Sequence, residues 1–198
     1  MFPMVLCSII GLAIIIERAF ALQRKRVISS FLISAIRNFQ PGGDVQQLYQ
    51  QTIQDSTVLG RVVQAALSHL DSPKSDTIDA VQVCARAEAA HLERGLVALE
   101  IIVGISPLLG LLGTVSGLIR VFGEFGRGGE SISEAVGIAA GISEALNMTV
   151  AGLVVAIPAL VAHALYSNRV ERLMTEMEGI CLDLVGKLYK NREVTVSR

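Results

Sequence analysis

The sequence predicts an all-α integral membrane protein: three transmembrane helices, N-terminus outside and C-terminus inside, with long helices extending into a cytoplasmic helical lobe. Three observations predict it. The 198 residues are 52% hydrophobic and only 18% charged, with 18 glycines, a balance that water-soluble domains rarely show. Three stretches stay uncharged over lengths that can cross a hydrocarbon core of about 30 Å at about 1.5 Å per helical residue. Finally, Lys and Arg are unevenly placed. Nine fall in residues 18–100 and six in 168–198, which leaves Arg120 and Arg127 of the seventeen, and this excess marks the cytoplasmic side.

The first helix, residues 1–17, is "MFPMVLCSIIGLAIII" closed by Glu17 and Arg18. "AFA" at 19–21 imitates a cleavage site, but the basic residues Arg18, Arg24, Lys25 and Arg26 follow the apolar core, where a secretory signal would place them before it. Residues 18–100 form the cytoplasmic helical region. There Val45, Leu48 and Tyr49, then Val58, Val62, Val63, Ala66 and Leu67, recur near spacings of three and four, and "PGG" at 41–43 and "DSPKSD" at 71–76 break the pattern. From about Thr77 a helix should run straight into the second span, because "TIDAVQVCARAEAAHLERGLVALE" has no Gly or Pro before Gly95. The second span, 101–121, contains 19 uncharged residues from Ile101 to Ile119. Residues 122–134 are a short outer loop, 135–167 the third span, and 168–198 a C-terminal cytoplasmic helix.

A net charge of -1 offers no basic patch for nucleic acid. His69, His91 and His163 are scattered, so no metal site is expected. Cys7, Cys84 and Cys181 lie in a span or in reducing cytoplasm and should be free thiols. No phosphate loop or enzyme-like sheet is visible, so neither enzymatic activity nor a cofactor is expected.

Chemistry concentrates inside the spans. Ser106, Gly110, Gly113, Thr114 and Gly117 form a strip of small and hydroxylated residues, with GxxxG in "GTVSG"; such strips let helix backbones approach closely. Gly137, Gly141, Glu144, Ala145, Met148 and Gly152 share one side of the third span, again with GxxxG in "GIAAG". Glu144 therefore lies on a packing stripe and should face protein, not lipid. An acidic residue at mid-membrane costs roughly 3 kcal/mol on insertion scales, which calls for a partner, water or a proton. Counting from the ends of the spans puts Thr114 about 8 Å and Glu144 about 14 Å from the outer face. Thr149 lies about 140° around the helix from Glu144 and so off its stripe. Pro107 and Pro158 free the carbonyls of Val103 and Val154, which predicts kinks. The alternative, Glu144 at the outer interface, would leave "AVGIAAGIS" exposed.

Two blocks, "PLLGLLGTVSGLIRVF" at 107–122 and "GISEALNMTVAGLVVAIPAL" at 141–160, together with the order of spans and loops, resemble the MotA/TolQ/ExbB proton channel family, with the closest likeness to its ExbB/TolQ branch. "AIIIERAFAL" at 13–22 resembles the end of that family's first helix. The resemblance implies a multi-pass subunit of the bacterial inner membrane, assembled as a homopentamer around two single-span ExbD/TolR-like partner helices, each bearing a membrane aspartate. Through a TonB/TolA-like transducer it would turn ion motive force, of H+, into work on the envelope. Glu144, Thr114 and Thr149 fall on the family's ion-pathway positions, while Met148 is bulkier than the small residue expected beside Thr149. A flagellar MotA-like stator subunit and a non-conducting helical membrane scaffold are the alternatives.

Overall fold

A computed structural model describes residues 2–125 and 132–196. Its elements are α1 (Phe2–Ala21), α2 (Arg24–Val27), α3 (Ser30–Asn38), α4 (Val45–Gln54), α5 (Val58–Ser68), α6 (Lys74–Phe125) and α7 (Ile132–Val196). No strand occurs among the described residues. Three helices, α1, α6 and α7, are long and apolar enough to cross a membrane. Part of the expected outer loop, residues 126–131, lies outside the described residues; on either side of it α6 continues to Phe125 and α7 begins at Ile132. Likewise α1 carries on past Glu17 and Arg18 to Ala21, and α6 begins at Lys74 rather than near Thr77.

The chain divides into two compact units, one of residues 1–18 and 95–165, the other of 19–94 and 166–198. In the first unit, the α6 portion from Gly95 to Phe125 is roughly 46 Å long at about 1.5 Å per residue, ample for a bilayer core. Few of its large apolar side chains are covered. Leu108, Leu111, Leu112, Val115 and Ile119 on α6, and Leu146, Val150, Leu153, Val154 and Ile157 on α7, are all exposed on the single chain. Apolar surface of this extent belongs against lipid or other membrane helices. What the unit does bury follows the helical repeat: Leu99, Ile102, Ser106, Thr114 and Val121 on α6, and Ala145, Ala156 and Ala159 on α7. α1 joins by a close approach, since a Cβ at Gly11 would lie 3.6 Å from Ile102. The helix continues through Pro107 in α6 and Pro158 in α7.

The second unit has an ordinary apolar core. The three-and-four spacing in α5 buries Val58, Leu59, Val62, Val63, Ala66 and Leu67, and the same spacing on α7 buries Val170, Leu173, Met174, Met177, Cys181, Leu184, Val185 and Leu188. Burying one such large side chain contributes about 1.5–3 kcal/mol, so this repeat is what anchors the end of α7. Polar residues stop and start the short helices. Ser29 accepts from Leu32 N, Asp44 from Gln46 N and Gln47 N at 2.9 and 3.1 Å, and Thr57 from Gly60 N at 3.3 Å, each meeting an orphaned helix-start donor. In "PGG", Gly42 takes a φ of 90°, a conformation open mainly to glycine. Lys187 Nζ donates to the carbonyls of Ile36 and Arg37 at 3.0 and 3.1 Å, placing its charge at the C-terminal end of α3. Tyr189 Oη donates to Ser72 O at 2.7 Å and lies 2.7 Å from Thr77 Oγ1, fastening the "DSPKSD" turn to α7.

Ion pairs hold the unit's surface. Arg61 Nε and a terminal guanidinium nitrogen each reach Glu88 at 2.6 Å, a two-pronged contact. This hydrogen bonding from Arg61 holds the Glu88 carboxyl below its ordinary range against the opposing pull of burial. Arg24 does the same for Glu176. Cys181 is buried, and burial pushes its thiol up to about 12. Burial also raises Cys84. Both are free thiols, as is Cys7.

Candidate functional site

The site lies where α6 and α7 touch within the first unit, and the missing side chains of glycine make the contact. A Cβ at Gly152 would sit 2.7 Å from Ser106 O and 3.2 Å from Gly110 Cα; one at Gly110 would sit 2.9 Å from Met148 O and 3.1 Å from Thr149 Cα. Further along, a Cβ at Gly113 would meet Met148 Cβ at 2.9 Å, one at Gly117 would meet Ala145 Cβ at 2.9 Å, and one at Gly141 would meet Val121. Five glycines of the two strips thus interlock. At Gly137 a Cβ would meet nothing within 4 Å, so that position is open on the single chain.

These contacts fix an antiparallel register: Ser106 and Gly110 against Gly152, Gly113 against Met148, Gly117 against Ala145, Val121 against Gly141. Glu144 therefore stands level with the stretch from Gly117 to Arg120. Thr114, three residues before Gly117, lies on the other side of Glu144 from the Phe125 end of α6. The depths counted separately from the ends of the two spans put Thr114 nearer that end, and the register reverses their order. Counting along one helix cannot show how far its neighbour slides past it, and here the glycine contacts set the slide.

Glu144 is on the packing stripe but at its edge. Its side chain is 65% exposed on the single chain, and Arg120, 63% exposed, reaches Glu144 Oε2 at 3.5 Å. A cavity of about 300 Å³ adjoins the pair, lined by Gly113, Ser116, Gly117, Arg120, Glu144, Ala145 and Met148. Neither threonine lines it. Thr114 is 6% exposed and its hydroxyl donates to Leu111 O at 2.7 Å, within its own helix. Thr149 is half-buried, with its backbone against Gly110, while Met148, a full turn after Glu144, covers Gly113 on the cavity side. So the structure gathers Glu144 with Arg120 and Ser116, and leaves Thr114 and Thr149 beside the helix contact.

The sequence marks Arg120 only as a basic residue outside the two Lys- and Arg-rich segments, and the register alone reveals it beside Glu144. Ser106, a hydroxylated member of the strip, is fully buried, and its hydroxyl has no hydrogen-bond partner among the described residues. No group of three or more His, Cys, Asp or Glu that could hold a metal occurs among the described residues.

Comparison with known proteins bears on this geometry. Residues 54–179 match the MotA/TolQ/ExbB proton channel family. The chain is similar to the ExbB-like 1 protein of Synechocystis sp., with 37% identity over 81% of this chain and 63% of that protein. It is also similar to ExbB-like 3 of the same organism, with 34% identity over 94% of this chain and 87% of that protein. A third relative, the biopolymer transport protein exbB1 of Vibrio cholerae, is 32% identical over 89% of this chain and 78% of its own length. The chain spans less than two thirds of the first of these relatives. The matched region takes in all of α6 and most of α7, including both glycine strips and Glu144.

Proposed function

The chain belongs to the MotA/TolQ/ExbB proton channel family, and from that premise we propose that it is the ion-conducting subunit of an inner-membrane motor, with protons as the ion. In this reading it works as a homopentamer around two single-span ExbD/TolR-like helices, each bearing a membrane aspartate, and drives a TonB/TolA-like transducer for envelope transport or integrity. The N-terminus is outside, and the second unit lies in the cytoplasm, where most of the basic residues are.

One observation carries the reading: Glu144 stands among uncovered apolar side chains of α6 and α7, and most of its own surface is uncovered too. A carboxyl group facing lipid there would be costly, whereas one facing a neighbouring copy, a partner helix or a file of water has a use. One elementary charge crossing 100 mV releases about 2.3 kcal/mol, and a group that gains and loses a proton at that position can couple this energy to movement of a partner helix. Thr114 and Thr149 flank the path and Glu144 carries the proton. In a strain lacking the native subunit, the Glu144→Gln chain should reach the membrane at normal abundance and fail to restore the envelope function. Full restoration by that variant would refute the assignment.

A further inference from the structure

Among the described residues, the buried threonines Thr52, Thr77 and Thr114 each donate to a carbonyl, whereas the Ser106 hydroxyl, equally sealed from solvent, has no partner. A buried hydroxyl left unmet costs free energy, and native structures satisfy nearly all such groups with protein or water. Ser106 stands where α6 and α7 press backbone to backbone, since a Cβ on Gly152 would lie 2.7 Å from its carbonyl oxygen. One turn earlier on the same helix, Pro107 has no N–H to give the Val103 carbonyl. A group that donates and accepts thus lies near one that accepts, and together they offer a water molecule two partners. Along α7, Gly152 is eight residues from Glu144, about 12 Å, toward the end that the proposed orientation puts in the cytoplasm. The helix register places Thr114 and Thr149 between those two levels.

We propose that Ser106 is a further residue of the ion path: when α7 backs away at Gly152, water enters between the helices and is held there by the Ser106 hydroxyl and the Val103 carbonyl. This deepens the ion-path reading and rests on it. Two states follow from the packing. With the contact closed, glycine backbone and apolar side chains seal this level, and a proton has no oxygen to step onto. With it open, a hydronium at Ser106 passes its extra proton to the next water, while the serine only accepts and donates hydrogen bonds and changes no covalent bond. The unmet hydroxyl raises the free energy of the closed contact, and wetting removes that cost. An alanine in its place would leave the closed contact unburdened and the open one without a holder for water.

The test uses the full chain carrying Ser106→Cys in inside-out vesicles of native membranes, with respiration running or collapsed by an uncoupler. A water-soluble maleimide is added, and modification of the peptide is followed by mass, which separates it from Cys7, Cys84 and Cys181. Labelling should run about tenfold faster in the respiring vesicles, the ratio that matches relief of one unmet hydrogen bond. Equal rates in the two states, or no labelling in either, would overturn the proposal. A second variant keeps the fold in view: Ser106→Ala should match or exceed the unmodified chain's melting temperature while cutting the proton flux of the complex about tenfold. Full flux through Ser106→Ala would also overturn the proposal, and a lowered melting temperature would then mark the hydroxyl as a structural tie. Flux that survives Glu144→Gln sinks the earlier assignment alone, because labelling at residue 106 reads wetting without reference to flux.

Discussion

Gly152 and Gly137 put the same residue type in opposite surroundings. A Cβ at Gly152 would press on the backbone at 2.7 Å, while one at Gly137 would meet nothing. Overpacking a tight contact costs about 1–3 kcal/mol. Gly152→Ala should therefore lower the thermal stability of the purified chain by that order, and Gly137→Ala should leave it within error, both read from melting in detergent. Cys181 makes another single-residue prediction. With its thiol raised to about 12 by burial, it holds almost no thiolate at neutral pH, so maleimide should modify it only once the second unit unfolds. At this scale the sequence was partly legible. Glu144 stood out because a charge interrupts a long apolar run, and the glycines stood out by spacing. Arg120 did not, since an ion pair between helices depends on a register that spacing along one helix cannot supply.

At the scale of elements, α6 and α7 were legible as long continuous helices, because the residues leading into and out of their spans contain few breakers. The helix runs on through both prolines, Pro107 and Pro158. The short helices were visible as broken amphipathic pieces, and their exact ends came from caps such as Asp44 and Thr57. Less visible was the way α7 closes the second unit. Tyr189 is an ordinary letter near the chain's end, and it acquires its role only when α7 passes the turn before α6. Tyr189→Phe removes the bond to Ser72 O and the contact with Thr77. Loss of these buried partners should cost about 1–3 kcal/mol, measured as a lower denaturant midpoint for the second unit.

For the whole molecule, two kinds of interior divide the chain: one unit leaves most of its apolar surface uncovered, and the other buries a conventional core. Composition foretold that division, since uncharged runs and amphipathic pieces occupy separate parts of the sequence. Acid should act on the second unit through Glu88 and Glu176. Their folded-state values lie below those of the unfolded chain because Arg61 and Arg24 hydrogen-bond the ionised forms. The stability they add is thus present above the ordinary carboxylate value of about 4.3 and is lost as pH falls through the lower folded values. Melting temperature should drop over that acidic window, and the drop should shrink in Arg61→Gln. The central proposal concerns the first unit: that Glu144 carries protons through the assembled complex. Proton flux into vesicles that hold the chain together with the proposed single-span partner, driven by an imposed membrane potential, tests this most directly. Flux that is present in the unmodified complex and falls to the level of empty vesicles with Glu144→Gln is the predicted result, and equal flux through both complexes would contradict the account.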